Sequence, residues 1–236
     1  MIGVDILVFG PHPDDIEIGI GGSVAVHVDR GDTVGLCDLT KGELGSNGTV
    51  EQRMSEAHAA AEVLGVAWRE NLGWPDGDIA GDGTTADHVR VASELIRRVR
   101  PSVVVIPHWR DRHPDHTAAS RVLGEAVFRA GLRRYAAEGA AWKPDWTCYY
   151  FINDLDTPAF VVDVTDSYDR KREALACHES QFRPTGDAAV QTRLTGARFL
   201  QMIESRDAHL GSLIGAGQAE GVAVKEPLVR AGLLKS

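Results

Sequence analysis

Short apolar runs alternate with longer stretches in which apolar residues recur every three or four positions, and this alternation fills the first half of the chain. Ile6 to Phe9 is an apolar run closed by Gly10-Pro11, and Thr33 to Leu39 is another. Between them lies a helix-like stretch ending at Asp29-Arg30-Gly31, so the segment reads as strand, crossover, strand. Thr49 and Gln52 form a capping box, after which Met54, Ala57, Ala61 and Leu64 share one helical face until Gly65. A third strand is expected over Trp68 to Leu72. After the turn-rich Trp74-Pro75-Asp76-Gly77-Asp78, a helix is expected from about Thr85. It carries Val89, Ala92, Ile96 and Val99 inward and stops before Pro101. Val103 to Ile106 reads as a buried strand, followed by a helix with Val122, Leu123, Ala126 and Val127 inward and Gly131 as its stop.

In the second half, Trp146 to Ile152 and Phe160 to Val164 read as strands whose direction the pattern leaves open. Asp166 to His178 and Thr195 to Leu210 read as helices, and the Gly-rich C-terminal stretch yields no element. The alternation predicts an α/β fold: a mostly parallel, open, doubly wound sheet with helices on both faces. Ligands in such sheets bind beyond the carboxyl ends of the strands. With 236 residues and 43% hydrophobic content, the chain suits a single domain over 1–236.

The formal charge is −9, from 34 acidic and 25 basic residues without a long like-charge run, which disfavours nucleic acid as a partner. Cys37, Cys148 and Cys177 are widely separated and imply reduced thiols rather than a disulfide framework. Neither a leader-like start nor an apolar stretch of membrane-spanning length is visible, so a cytoplasmic protein without a membrane partner is expected.

Two motifs carry the chemistry: Pro11-His12-Pro13-Asp14-Asp15, just past the first strand, and His113-Pro114-Asp115-His116, just past the fourth. A catalytic zinc site takes three imidazole or carboxylate ligands and keeps a further position for water. His12, Asp15 and His116 can fill the three places. Asp14 then addresses the water as general base. Pro114 suits the first turn of a helix. His113 and His116 can then face one cleft, leaving His113 to stabilise an oxyanion or protonate a leaving amine, with Asp115 orienting His113 through its other ring nitrogen. His27, His58, His88, His178 and His209 lie in helix-like segments where a solvated or core imidazole is the ordinary explanation. His108 can at most support the site from behind.

The paired motifs resemble those of the PIG-L/LmbE-like deacetylases. Gly42-Glu43-Leu44-Gly45-Ser46-Asn47-Gly48-Thr49 with Arg53, Asn71 to Gly77, Asp111-Arg112-His113 and Glu179-Ser180-Gln181-Phe182 are similar to the bacillithiol-pathway branch, the N-acetylglucosaminyl-malate deacetylase type. The resemblance covers most of residues 4 to 215. It implies a Rossmann-like fold, a homo-oligomer, a small N-acetylated amino-sugar substrate, and one zinc ion per subunit on His12, Asp15 and His116. It also implies Asp14 as base and His113 as electrostatic partner. The tail at Gly215-Ala216-Gly217-Gln218-Ala219 departs from that branch's aromatic-containing pattern.

Ser46, Asn47 and the backbone of their loop can hold sugar hydroxyls, and Arg53 and Arg112 are the expected clamps for a substrate carboxylate such as malate. Gly19-Ile20-Gly21-Gly22 is a poor dinucleotide fingerprint, because Pro11 to Ile18 intervenes and two aspartates stand where a pyrophosphate would meet like charge. Tight helix packing explains those glycines better. The rival functions are deacetylation of N-acetylglucosamine or chitooligosaccharides, amidase action on thiol conjugates, and a non-catalytic sugar- or nucleotide-binding module.

Overall fold

The computed structural model describes residues 3–81, 83–187 and 189–229. The first two residues and 230–236, the ends of the terminal stretches read above, lie outside them. Five parallel strands form the body of one sheet: β1 (Ile6–Gly10), β2 (Val34–Thr40), β3 (Trp68–Trp74), β4 (Val103–Pro107) and β5 (Trp146–Tyr150). The full order is β3-β2-β1-β4-β5-β7-β6, with β6 (Phe160–Asp163) at one edge and β7 (Ala219–Ala223) between β5 and β6. β7 runs antiparallel to both neighbours. The two strands of open direction therefore run with the rest, and the only reversed strand among the described residues is one the Gly-rich tail did not announce.

Helices cover both faces. α3 (Thr85–Val99) and α4 (Pro114–Ala130) pack on one side through Val89, Ala92, Ile96, Val122, Leu123 and Ala126, joined by Leu7, Phe9 and Val104 from the strands. On the other side lie α1 (Asp15–Asp29), α2 (Val50–Leu64), α5 (Tyr168–Ala176), the short α6 (Glu179–Phe182) and α7 (Ala197–Ser212). Thr49 caps α2 by accepting from the Gln52 amide, and Gly65 ends it at a φ of 75°. α1 is buried from Asp15 to Ala25, the most enclosed helix near the site. A Cβ on Gly19 would lie 2.3 Å from the Tyr150 ring, so that glycine serves close packing, as read from the sequence.

Buried charge locks this side. Lys171 Nζ donates to Asp207 at 2.7 Å and to Glu220 at 2.6 Å, all three fully enclosed, and Glu220 also accepts the Gly22 and Ser23 amides. Arg69 forks onto Asp38 at 2.7 and 2.8 Å and reaches Glu17 beneath the first motif. β1 pairs with β2 on one side and β4 on the other, so chain order reverses there. That crevice is where loops after adjacent strands part and a ligand fits. Both motifs open into it.

Candidate metal centre

β1 ends at Gly10 and α1 begins at Asp15, leaving four residues to turn the chain. Asp14 absorbs the turn with φ 136° and ψ −26°, a region costly for any residue bearing a Cβ. The strain turns two adjacent carboxylates to different partners. Asp15 Oδ2 lies 3.0 Å from His12 Nδ1 and 3.2 Å from His116 Nε2. Candidate ligand atoms of His12, Asp15 and His116 all lie within 4.8 Å of one another, and all three residues are buried. Sequence positions a hundred residues apart thus converge on one point.

Their donor set, two imidazoles and a carboxylate, fits a catalytic divalent ion. Electrostatics point the same way. Burial alone would discharge the imidazoles, yet His116 is raised to about 9 by Asp15 and Asp111, and His12 is held well above its ordinary value by Asp115, Asp15 and Asp76. Burial would likewise raise Asp15, but His116 and His12 hold it far below the usual carboxylate range. Protons here compensate excess carboxylate charge, a task a divalent cation takes over when it displaces them. His12, His113 and Asp115 form a second possible ligand group. The first is better placed, because Asp115 Oδ2 already accepts the Gly77 amide at 2.8 Å and faces His12 Nε2 at 3.2 Å.

Each candidate ligand imidazole is gripped from behind. His116 Nδ1 lies 3.0 Å from Asp111 Oδ1, and His12 Nε2 lies 3.1 Å from Asp76 Oδ1. Such carboxylates fix ring orientation and raise ligand basicity. Neither was singled out from the sequence for this task. The available signal was an aspartate in a loop just past a strand: Asp76 follows β3 and Asp111 follows β4. Asp76 Oδ2 also accepts the Leu44 amide, and Asp111 accepts amides of His113 and Asn153. His88 stacks on Trp74 at 4.1 Å and supports the turn that carries Asp76.

Asp14 lies beside the cluster, 3.3 Å from Arg53 Nη2. Burial raises its carboxyl to about 6, against the opposing pull of Arg53. His113 lines the same cleft, its ring stacked 4.7 Å from His116, and its Nδ1 accepts the Asp115 backbone amide at 3.2 Å. Burial and the neighbouring His116 and His12 lower its proton affinity, and with Nδ1 accepting that amide the neutral ring carries its hydrogen on Nε2.

Several expectations change. Asp115 does not orient His113 with its carboxylate, which is spent on His12 and Gly77; only its backbone amide meets His113. Arg53 is not a free clamp. It is 5% exposed, donating to the carbonyls of Gly42 at 2.8 Å and Pro13 at 3.0 Å besides Asp14. A Cβ on Gly42 would lie 1.8 Å from Arg53 Nη1, so that glycine makes room for it. Asn47 is buried and pairs through its side-chain amide with both backbone groups of Val190, 2.9 and 2.8 Å away, which turns it from substrate to loop anchoring.

Ser46 and Arg112 do line the cleft, a cavity of about 460 Å³. Its far wall comes from Ile152, Asn153, Thr192, Arg193 and Phe199 rather than from the divergent 215–219 tail, which leads into β7. Arg193 bonds Asn153 at 2.7 Å and was not foreseen as a site residue.

The family model described as PIG-L, GlcNAc-PI de-N-acetylase, matches residues 7–127, the stretch that carries both motifs. A diacetylchitobiose deacetylase of Thermococcus kodakarensis is 32% identical over 189 residues, covering 75% of this chain and 70% of that protein. A probable N-acetyl-alpha-D-glucosaminyl L-malate deacetylase of Bacillus anthracis is 25% identical over 193 residues, covering 75% of this chain and 81% of that one. Among solved structures, the conserved protein TT1542 from Thermus thermophilus superposes with a TM-score of 0.87 at 34% identity, covering 99% of this chain and 100% of that one. By its sequence, its doubly wound sheet and the motifs at the sheet's switch point, this chain belongs to the PIG-L family of GlcNAc-PI de-N-acetylases.

Proposed function

We propose that this protein uses zinc to remove the N-acetyl group of an N-acetylglucosaminyl substrate, N-acetylglucosaminyl malate first among them. Family membership makes it a hydrolytic, metal-dependent N-deacetylase. The observation that carries the fuller reading is the convergence of His12, Asp15 and His116 at the base of the cleft, with buried Asp14 beside them.

Held by those three side chains, a divalent ion would supply Lewis acidity and make a water more acidic. Asp14 accepts the proton of the attacking water, its carboxyl at about 6 being matched to that exchange near neutrality. His113 donates its Nε2 hydrogen to the oxygen that gains charge as the carbonyl carbon becomes tetrahedral. When the carbon–nitrogen bond breaks, the departing amine takes its proton from Asp14. Arg53 keeps Asp14 aimed and partly ionised.

The acidic aglycone is supported by Arg112 and Arg193, which flank the cleft and form no ion pair with a carboxylate among the described residues. Burial and then Arg112 lower the proton affinity of Arg193, against the opposing pull of Asp154 and Asp111. A second reading, chitooligosaccharide deacetylation, is favoured by the similarity to the Thermococcus protein. We further take the protein to act as a homo-oligomer in the cytoplasm, without nucleic acid; among the described residues no helix is long and apolar enough to cross a membrane.

The test is acetate release from N-acetylglucosaminyl malate, N-acetylglucosamine and diacetylchitobiose, alongside metal content. Asp14→Asn should retain the ion and lose about 10²–10⁴-fold in turnover. Loss of metal in that variant would contradict the division of labour between Asp14 and Asp15. Equal turnover of all three substrates would remove the acidic aglycone.

A further inference from the structure

α4 turns one face toward the metal cleft and another toward a separate groove of about 690 Å³, lined by Trp109, Ser120, Arg121, Gly124, Tyr149 and Lys225. None of these residues lines the cleft described above. Ser120 is 1% exposed, and its Oγ has no hydrogen-bond partner among the described residues. That oxygen is closed off from solvent, so it lies beneath the groove rather than open into it. The Tyr149 hydroxyl likewise makes no hydrogen bond among the described residues. Gly124 stands opposite it: a Cβ there would already lie 3.9 Å from Tyr149 Oη, and a longer side chain would cover the hydroxyl.

Two cations border these hydroxyls. Lys225 Nζ sits 5.0 Å from the centre of the Trp109 ring and 4.7 Å from that of Tyr149, and it forms no ion pair among the described residues. Arg121 also has none. The acid that shares the groove, Glu125, is engaged by Arg129 at 2.6 Å. Burial weakens the hold of Lys225 on its proton, with Glu226 as its opposing charge, and a bound anion would relieve that penalty. A hydroxyl without a partner and two cations without ion pairs among the described residues share one groove of a chain with net charge −9.

We propose that this groove binds a small oxyanion of the phosphate class, free or as a monoester, with Lys225 and Arg121 supplying charge and the Tyr149 hydroxyl supplying a hydrogen bond. The site is separate from the deacetylation chemistry and does not depend on it.

Calorimetric titration of the metal-loaded protein with inorganic phosphate, glycerol phosphate and glycerol tests it. Phosphate and glycerol phosphate should both bind, and whichever is tighter identifies the form the groove prefers. Binding should weaken about tenfold in Lys225→Ala and in Arg121→Ala and recover in Lys225→Arg. Turnover of these variants in phosphate-free buffer should stay within about twofold of the parent, which also reports that they fold. No binding of either anion, binding unchanged in both alanine variants, or glycerol binding as tightly as glycerol phosphate would each overturn the proposal. The second of these outcomes would put the anion at the metal centre instead.

Discussion

Replacing Asp111 by asparagine tests how much of the metal centre is built from behind its ligands. The two Asp111 oxygens serve four donors. Oδ1 faces His116 Nδ1 at 3.0 Å and accepts the His113 amide at 2.8 Å and Asn153 Nδ2 at 3.0 Å, while Oδ2 accepts the Asn153 amide at 2.9 Å. An asparagine has one acceptor oxygen. With its NH₂ at the Oδ1 position it would oppose three donors, so it adopts the other orientation, keeps the His116 contact and opposes the Asn153 amide alone. What is lost is the charge on the acceptor and one hydrogen bond. Partners of this kind contribute about 10- to 100-fold in metal affinity, or about 1.4–2.7 kcal/mol.

The assay is competition for the ion against a chromophoric chelator, with turnover measured separately at saturating metal. Burial raises the Asp111 carboxyl, but His116 and the backbone amides of His113 and Asn153 bring it to about 2. It is therefore ionised throughout the neutral range, but it also raises His116, which must lose its proton before it can hold the ion; asparagine eases that competition, so the deficit should be smallest near neutrality and grow as pH rises toward 9. A variant that binds metal as tightly as the parent at pH 9 would refute the argument, as would a deficit that shrinks as pH rises.

Arg53→Met removes the charge that opposes burial at Asp14. The carboxylate form loses stabilisation, so its value rises from about 6, and the acid limb of kcat/KM should move up by about one pH unit while the metal stays bound. Arg53→Lys should shift it less, and an unmoved limb would show that Asp14 is not the titrating base. Arg69→Met strands two buried acids, Glu17 and Asp38, and should cost about 3–5 kcal/mol in urea unfolding. A loss below about 1 kcal/mol would mean that those carboxylates find other partners or protonate at little cost.

The order and identity of the first eight elements were legible from apolar spacing, capping residues and prolines, because those signals act within a few residues. Thr49 with Gln52, the stop before Pro101 and Pro114 at the start of α4 needed no distant partner. The placement of both motifs past strand ends followed from the same local reading, as did the donor chemistry of His12, Asp15 and His116. β7 escaped notice since Ala219–Ala223 becomes a strand only by inserting between β5 and β6, where the sheet supplies both of its hydrogen-bonding edges.

The inventory of ligating and proton-carrying groups is therefore a property of the sequence, since it depends on residue type and on spacing within a loop. Which group serves which partner is a property of the tertiary structure. Asp76 reaches His12 across 64 residues, Asp115 reaches it across 103, and Arg53 turns from substrate to Asp14 across 39. Hydrogen bonds and desolvation act over a few ångströms in space, whatever the separation along the chain. Only the folded crevice between β1 and β4 decides whether a carboxylate or guanidinium meets an imidazole, a backbone carbonyl or the open cleft.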